Sequence, residues 1–391
     1  MLGYLFDEIY PRLPRGFELD VVSGTSVGAV HASYVATTAG QTGASRAARL
    51  NETWSEMELA DMLQLSTRDL LGLPLRALGV TRLRRDAGGS GRHRLVGGLA
   101  DFSALERIVA ERIAWSALPA NLARGRPGAL CVSCTEVRSG RATVFMDGPL
   151  ADPTPWSYDP GSQAVRVELA AAHVRASAAI PFLFPAVQVG DRFYVDGGMR
   201  MNTPLAPALR LGAERVLVIA LKRVPGSSAG LPAYAEDVIT QPAFLLGKVL
   251  DALTLDPLEY ELARIDIVNS WIAHGRRTYG GDFLERINVA VESERGVGYR
   301  PVAHLALRPS QELGRVAADC YQANRGRSLG RLASLITRFA LHGAPEGEAD
   351  LLSYLYFDRS FTRRLLEMGR ADAAAAHDRI LALLTDPTPG G

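Results

Sequence analysis

A serine between two glycines near the start of the chain, and an aspartate followed by two glycines at 196–198, are the residues whose types and spacing could do chemistry. The pattern Gly24-x-Ser26-x-Gly28 puts a hydroxyl on a sharp turn between an extended run and a helical one. Such an elbow needs small residues on both sides of the serine. It pushes the hydroxyl clear of the backbone and aims the start of the next helix at the reacting atom. The chemistry would be acyl transfer through a serine ester. A serine hydroxyl is scarcely ionised near neutral pH, so it needs a base. Asp196, in Tyr194-Val-Asp196-Gly-Gly198 at the end of an apolar run, is the candidate. Phe193, Tyr194 and Val195 are expected to supply the apolar surroundings that lift a carboxyl above its ordinary value of about 3.9.

Other groups compete for these roles. A second GxSxG, Gly226-Ser-Ser228-Ala-Gly230, lies in a Pro, Gly and Ser-rich stretch with no helical pattern directly after it, and reads as a surface loop. Cys131 and Cys134 have the CxxC spacing of a redox pair or half a zinc site. They fall in a strand-like run, where positions three apart face opposite sides, and no second CxxC or HxxxH follows. Buried packing is expected of them, with no metal; the chain's three cysteines make no disulfide framework. His274, His304 or His342 would complete a Ser…Asp…His triad, but that hydrolase fold places several strands before its elbow. His31, five residues past Ser26 on the elbow helix, points elsewhere and is expected to pack or lie partly exposed. His173 has the chain order of a base but sits in a small-residue helix without a motif.

The elements that must position these groups alternate between helix and strand. The pattern predicts a helical fragment at 1–10, a strand at 17–22, a helix at 27–39 and a second helical stretch within 41–70 around Trp54, Met57 and Leu59. After a Gly, Pro and Arg-rich insertion at 72–98 come a helix at 101–114 and strands at 129–135 and 141–146. A helix at 168–179, a hairpin at 187–195, a helix at 203–211 and a buried strand at 215–221 complete an α/β pattern. From about 236 the pattern is helical, with one strand-like run at 301–307. The domains expected are 1–230, the α/β core, and 231–391, a helix-rich extension. The 391 residues are 47% hydrophobic and 22% charged, as in an ordinary globular protein. A formal charge of +1 argues against a nucleic-acid partner. No apolar run approaches the roughly 18–20 residues of a membrane span. Only two lysines, Lys222 and Lys248, stand among many arginines, which fits a GC-rich genome.

Three segments, GTSVGA at 24–29, ASAAIPFLFP at 176–185 and DGGMRMNTP at 196–204, together resemble, in order, the pattern of the patatin-like phospholipase family. The resemblance covers roughly residues 1–225. It implies a patatin-like three-layer α/β/α core and a Ser–Asp dyad in place of a triad, with Ser26 as nucleophile and Asp196 as general base. Gly24, Val27 and Gly28 would form the elbow, the Val27 N–H serving as an oxyanion donor, and Gly197, Gly198 and Asn202 would support the base. No cofactor is implied, and the substrates would be fatty-acyl esters or phospholipids. The stretches 255–271 and 351–361 resemble the helical extensions of bacterial members.

The family's GGGxRG loop, which supplies its main oxyanion hole, lies a short helix ahead of the elbow. Here Met1–Glu8 matches that helix from its middle. A gene start assigned too late is expected, with a truncated and weakly active chain as the alternative. Gly88–Gly91 and Gly97-Gly98 follow the elbow and are not given that role. An inactive scaffold and an acyltransferase using the same dyad both stay open. Arg76, Arg82, Arg84, Arg85, Arg92 and Arg94, against Asp86 alone, give residues 76–94 a charge that could touch anionic headgroups, a solvated loop being the blander reading. A cytoplasmic or peripheral membrane location is expected; oligomeric state is open.

Overall fold

The computed structural model describes residues 1–14, 16–55, 106–181, 184–201, 203–223, 258–324 and 358–386. Its centre is a mixed sheet of β1 (Val21–Thr25), β2 (Ala129–Glu136), β3 (Ala142–Asp147), β4 (Ser162–Arg166), β5 (Val187–Val189) and β6 (Arg192–Asp196). β2 is buried at every position, as expected of a strand covered on both faces. β3 returns antiparallel to it through a turn whose Gly140 has φ 67°, and β4 adds parallel to β3. β5 and β6 form a hairpin around Gly190, φ 63°.

The other edge of β2 is shared by two strands. β1 runs parallel to its first part, Val21 opposite Ala129 and Thr25 opposite Ser133. β6 runs antiparallel to its last part, Tyr194 opposite Glu136 and Asp196 opposite Cys134. The C-terminal ends of β1 and β6 therefore meet head-on at neighbouring positions of one strand. The strand before the elbow lies later than the 17–22 expected from apolar content. Pairing with β2 decides its place, and the polar positions that content disfavours are satisfied: Ser23 Oγ donates to Pro204 O at 2.8 Å and Thr25 Oγ1 to Met201 O at 2.7 Å.

Helices cover both faces. The chain opens with a helical turn, Leu2–Tyr4 (α1), continued by a π-helical segment Leu5–Ile9 and a 3-10 turn Tyr10–Arg12. α2 (Val27–Thr37) buries Ala29, Val30, Ala32 and Ala36 against Leu130 and Val132 of β2. α3 (Gly43–Ser55) turns Ala47 and Leu50 onto Phe6 and Tyr34. Its Arg46 is buried with the guanidinium 3.9 Å over the Phe6 ring, and it donates to Val35 O at 3.0 Å, closing the end of α2. α4 (Leu118–Ala123) and α5 (Ala171–Ser177) join the same face. On the opposite face Cys131, Val144, Met146 and Trp156 pack together. The CxxC is thus split across the sheet as expected, and both thiols are buried. Burial pushes Cys131 up to about 12 and Cys134 well above the ordinary thiol range.

After α6 (Gly198–Met201) and α7 (Leu205–Arg210), β7 (Arg215–Ile219) pairs in parallel with β8 (Ala303–Leu307) in a second, two-stranded sheet, a pairing that crosses residue 230. The strand expected to be buried throughout is buried at Val216, Val218 and Ala220, while Ile219 is exposed. α8 (Leu258–Tyr279) lays Leu258, Leu262 and Ile265 against Leu205, Val216 and Val218. α9 (Phe283–Arg295), α10 (Leu313–Ala323), α11 (Arg359–Ala375) and α12 (His377–Thr385) follow. α12 brings Ile380 against Leu5, Ile9, Leu305 and Leu307. Among the described residues no helix is long and apolar enough to cross a membrane. The insertion 72–98, Met57, Leu59, the 226–230 motif and His342 lie outside the described residues.

Candidate active site

Because β1 and β6 converge on Ser133 and Cys134, the residue that leaves β1, Ser26, and the residue that ends β6, Asp196, arrive at one point. Ser26 has φ 55° and ψ −128°, the only non-glycine residue with positive φ among those described. L-residues adopt that backbone at a cost of order 1–3 kcal/mol, and it persists where the surroundings over-determine it. Gly24 is one such constraint: a Cβ there would overlap the Gly28 carbonyl. At Gly28 an added Cβ meets nothing within 4 Å, so the steric need for a small residue falls on one side of the serine, where it was expected on both. The Ser26 carbonyl accepts from Ala29 N at 2.9 Å and Val30 N at 3.4 Å. The first N–H groups of α2, those of Val27 and Gly28, precede any intrahelical acceptor and stand at the positive end of the helix.

Asp196 is 4% exposed. Its backbone is held on three sides: its N–H donates to Ala179 O at 2.9 Å, its carbonyl accepts from Thr135 Oγ1 at 3.0 Å, and β2 runs alongside. Its Oδ1 accepts from Gly198 N at 2.7 Å, while Oδ2 is buried with no partner of good geometry. Burial raises the carboxyl to about 6; the nearby Ser26 side chain and the Gly198 N–H oppose the rise. Of the three flanking residues expected to make the apolar pocket, Tyr194 shares the face of Asp196 and is buried, whereas Phe193 is 38% exposed. The rest of the burial comes from β2 and α5. Gly197 sits where the strands meet, and a Cβ there would overlap the Ser133 carbonyl.

The structure thus brings together Gly24, Ser26, Val27, Gly28, Asp196, Gly197 and Gly198; Asn202 lies outside the described residues. No histidine joins them among the described residues. His173 Nδ1 accepts from Ala170 N at 3.1 Å at the start of α5, its ring edge-on to Phe145. His31 packs against Trp54 with ring centroids 4.9 Å apart and planes tilted by 40°, and burial holds it down to about 4. His304 meets Asp266 at 2.9 Å on the second sheet, away from Ser26. One residue of the site was not singled out within its motif segment, 176–185: Ser177, fully buried, whose Oγ accepts from Ser26 N at 2.9 Å and donates to Ser133 O at 2.6 Å. Its signal was a polar residue in the otherwise small and apolar run 176–180.

The fold is an α/β protein with a serine elbow at the edge of its central strand. Residues 4–209 match the family model Patatin-like phospholipase. The chain belongs to the patatin-like phospholipase family, a family of lipid acyl hydrolases. No curated protein matches the chain.

Proposed function

We propose that the protein hydrolyses acyl esters of lipids by a two-step mechanism on a Ser26–Asp196 dyad. Asp196 takes the proton of Ser26 Oγ as the oxygen attacks the ester carbonyl, and the tetrahedral oxyanion forms beside the start of α2, where the Val27 N–H donates to it. Collapse expels the alcohol, which carries away the proton, and leaves an acyl-serine. A water deprotonated by the same carboxylate then releases the fatty acid. The observation that carries this proposal is the convergence of a strained elbow serine with a buried carboxyl whose pKa is raised to about 6, near the range of a working base. A carboxyl at its ordinary value would be mostly too weak a base.

The test is hydrolysis of a p-nitrophenyl acyl ester by wild type, Ser26→Ala, Asp196→Asn and His173→Gln. The expected outcome is loss of at least about 10³-fold in kcat for the first two and near wild-type turnover for the third. Full activity in Asp196→Asn, with loss in His173→Gln, would show that a histidine is the base. An acyltransferase would share every step but the last. Adding glycerol or another alcohol and analysing products separates the two, since a transferase forms the new ester in preference to free acid.

A further inference from the structure

We infer that Ser177 is a positioning residue that holds Ser26 in its strained conformation and fixes it relative to Asp196; this rests on the Ser26–Asp196 proposal. The N–H of Ser26 is the backbone group whose direction φ controls, and its acceptor is the Ser177 hydroxyl at 2.9 Å. That hydroxyl cannot swing freely, because its own proton goes to Ser133 O at 2.6 Å. A lone pair is therefore left aimed at Ser26. Ser133 lies on β2 as the register partner of Thr25, the residue before the nucleophile, so the same hydroxyl ties the elbow to the strand that β1 pairs with.

The backbone of Ser177 makes the link to the base. As the last residue of α5, its carbonyl has no intrahelical acceptor role to fill, and it accepts from Gly197 N at 3.3 Å, next to Asp196. Two residues on, Ala179 O accepts from Asp196 N at 2.9 Å. One short stretch, 177–179, thus touches the nucleophile through a side chain and the base loop through two carbonyls. A residue that only filled space here would be an alanine like Ala176 and Ala178; the hydroxyl is fully buried and uses both its donor and its acceptor capacity.

The proposal predicts a defect in attack and not in binding. Fluorophosphonate inactivation of wild type, Ser177→Ala and Ser177→Cys, each checked for a cooperative unfolding transition, should show kinact reduced about 10–100-fold in the alanine variant with KI within about twofold. The thiol is larger and a weaker hydrogen-bonding group that can still reach both partners, so Ser177→Cys should fall between. The pH midpoint of inactivation should stay where the wild type has it, because the burial of Asp196 is unchanged. Should the alanine variant fail to fold, the cysteine variant gives the same readout. A wild-type kinact in a folded Ser177 variant overturns the positioning role while leaving the dyad standing. A wild-type protein that takes no label at Ser26 overturns both.

Discussion

Asp196 is a carboxyl held out of water, and two measurable consequences follow at the scale of this one residue. Its value of about 6 against an ordinary 3.8 means that, between those pH values, the folded protein keeps a proton the unfolded chain has released. The contribution of this group to stability therefore falls as pH rises through that window, by about 3 kcal/mol in all. Asp196→Asn removes the fall. Its urea midpoint should match wild type near pH 4 and exceed it at pH 7; equal midpoints at both would mean the carboxyl is solvated. On the proposed dyad the same titration would set activity, because a carboxyl acts as a base only when ionised. log(kcat/KM) should drop by one per pH unit below about 6 and flatten above it. Ser26 is the second residue under load. Glycine adopts its backbone without the Cβ penalty, so Ser26→Gly should be more stable than Ser26→Ala by about 1 kcal/mol, in spite of the greater freedom glycine gives the unfolded chain.

Among elements, the site exists because β1 and β6 divide one edge of β2 between them. Gly197 stands at the junction. Gly197→Ala, whose Cβ would overlap the Ser133 carbonyl, should cost about 2 kcal/mol or more in denaturant unfolding and cut turnover in the molecules that fold. Gly28→Ala is the contrast: open space surrounds that position within α2, and the change should leave stability equal or raise it by about 1 kcal/mol. A loss at Gly28 as large as that at Gly197 would contradict the packing described for the elbow. These elements were unevenly legible. The strands β2, β3, β5 and β6 and the helix after Ser26 follow from apolar runs, turns and the glycine spacing. The true limits of β1 did not, because they are set by pairing with β2, and the hydroxyls of Ser23 and Thr25 find their acceptors about 180 positions away. Nor could local pattern give the register on β2 that places Cys134 opposite Asp196 or brings Ser177 to Ser26. Those are long-range pairings, which no window of neighbouring residues encodes. The motif segments were readable as a set, whereas the bond the Ser177 hydroxyl makes from one of them to the elbow was not.

For the whole molecule, the C-terminal part of the chain completes packing begun at the N-terminus. Ile380 of α12 is fully buried among Leu5, Ile9, Leu305 and Leu307, and Arg370 of α11 meets Asp7 at 2.9 Å and Glu8 at 3.0 Å. The exposed ion pairs contribute little. The apolar cluster contributes much: Ile380→Ala should cost about 2–5 kcal/mol while leaving kcat per folded molecule unchanged, since nothing in that cluster touches Ser26. A change in kcat without a change in stability would show a coupling to the site that these contacts do not provide.

Whether Ser26 is a nucleophile activated by Asp196 is read out by mapping a fluorophosphonate adduct with peptide mass spectrometry. One adduct per chain is expected on the peptide carrying Ser26, absent in Ser26→Ala and slowed at least about 10²-fold in Asp196→Asn at pH 8. An adduct on another residue, or undiminished labelling of Ser26 in Asp196→Asn, would contradict it.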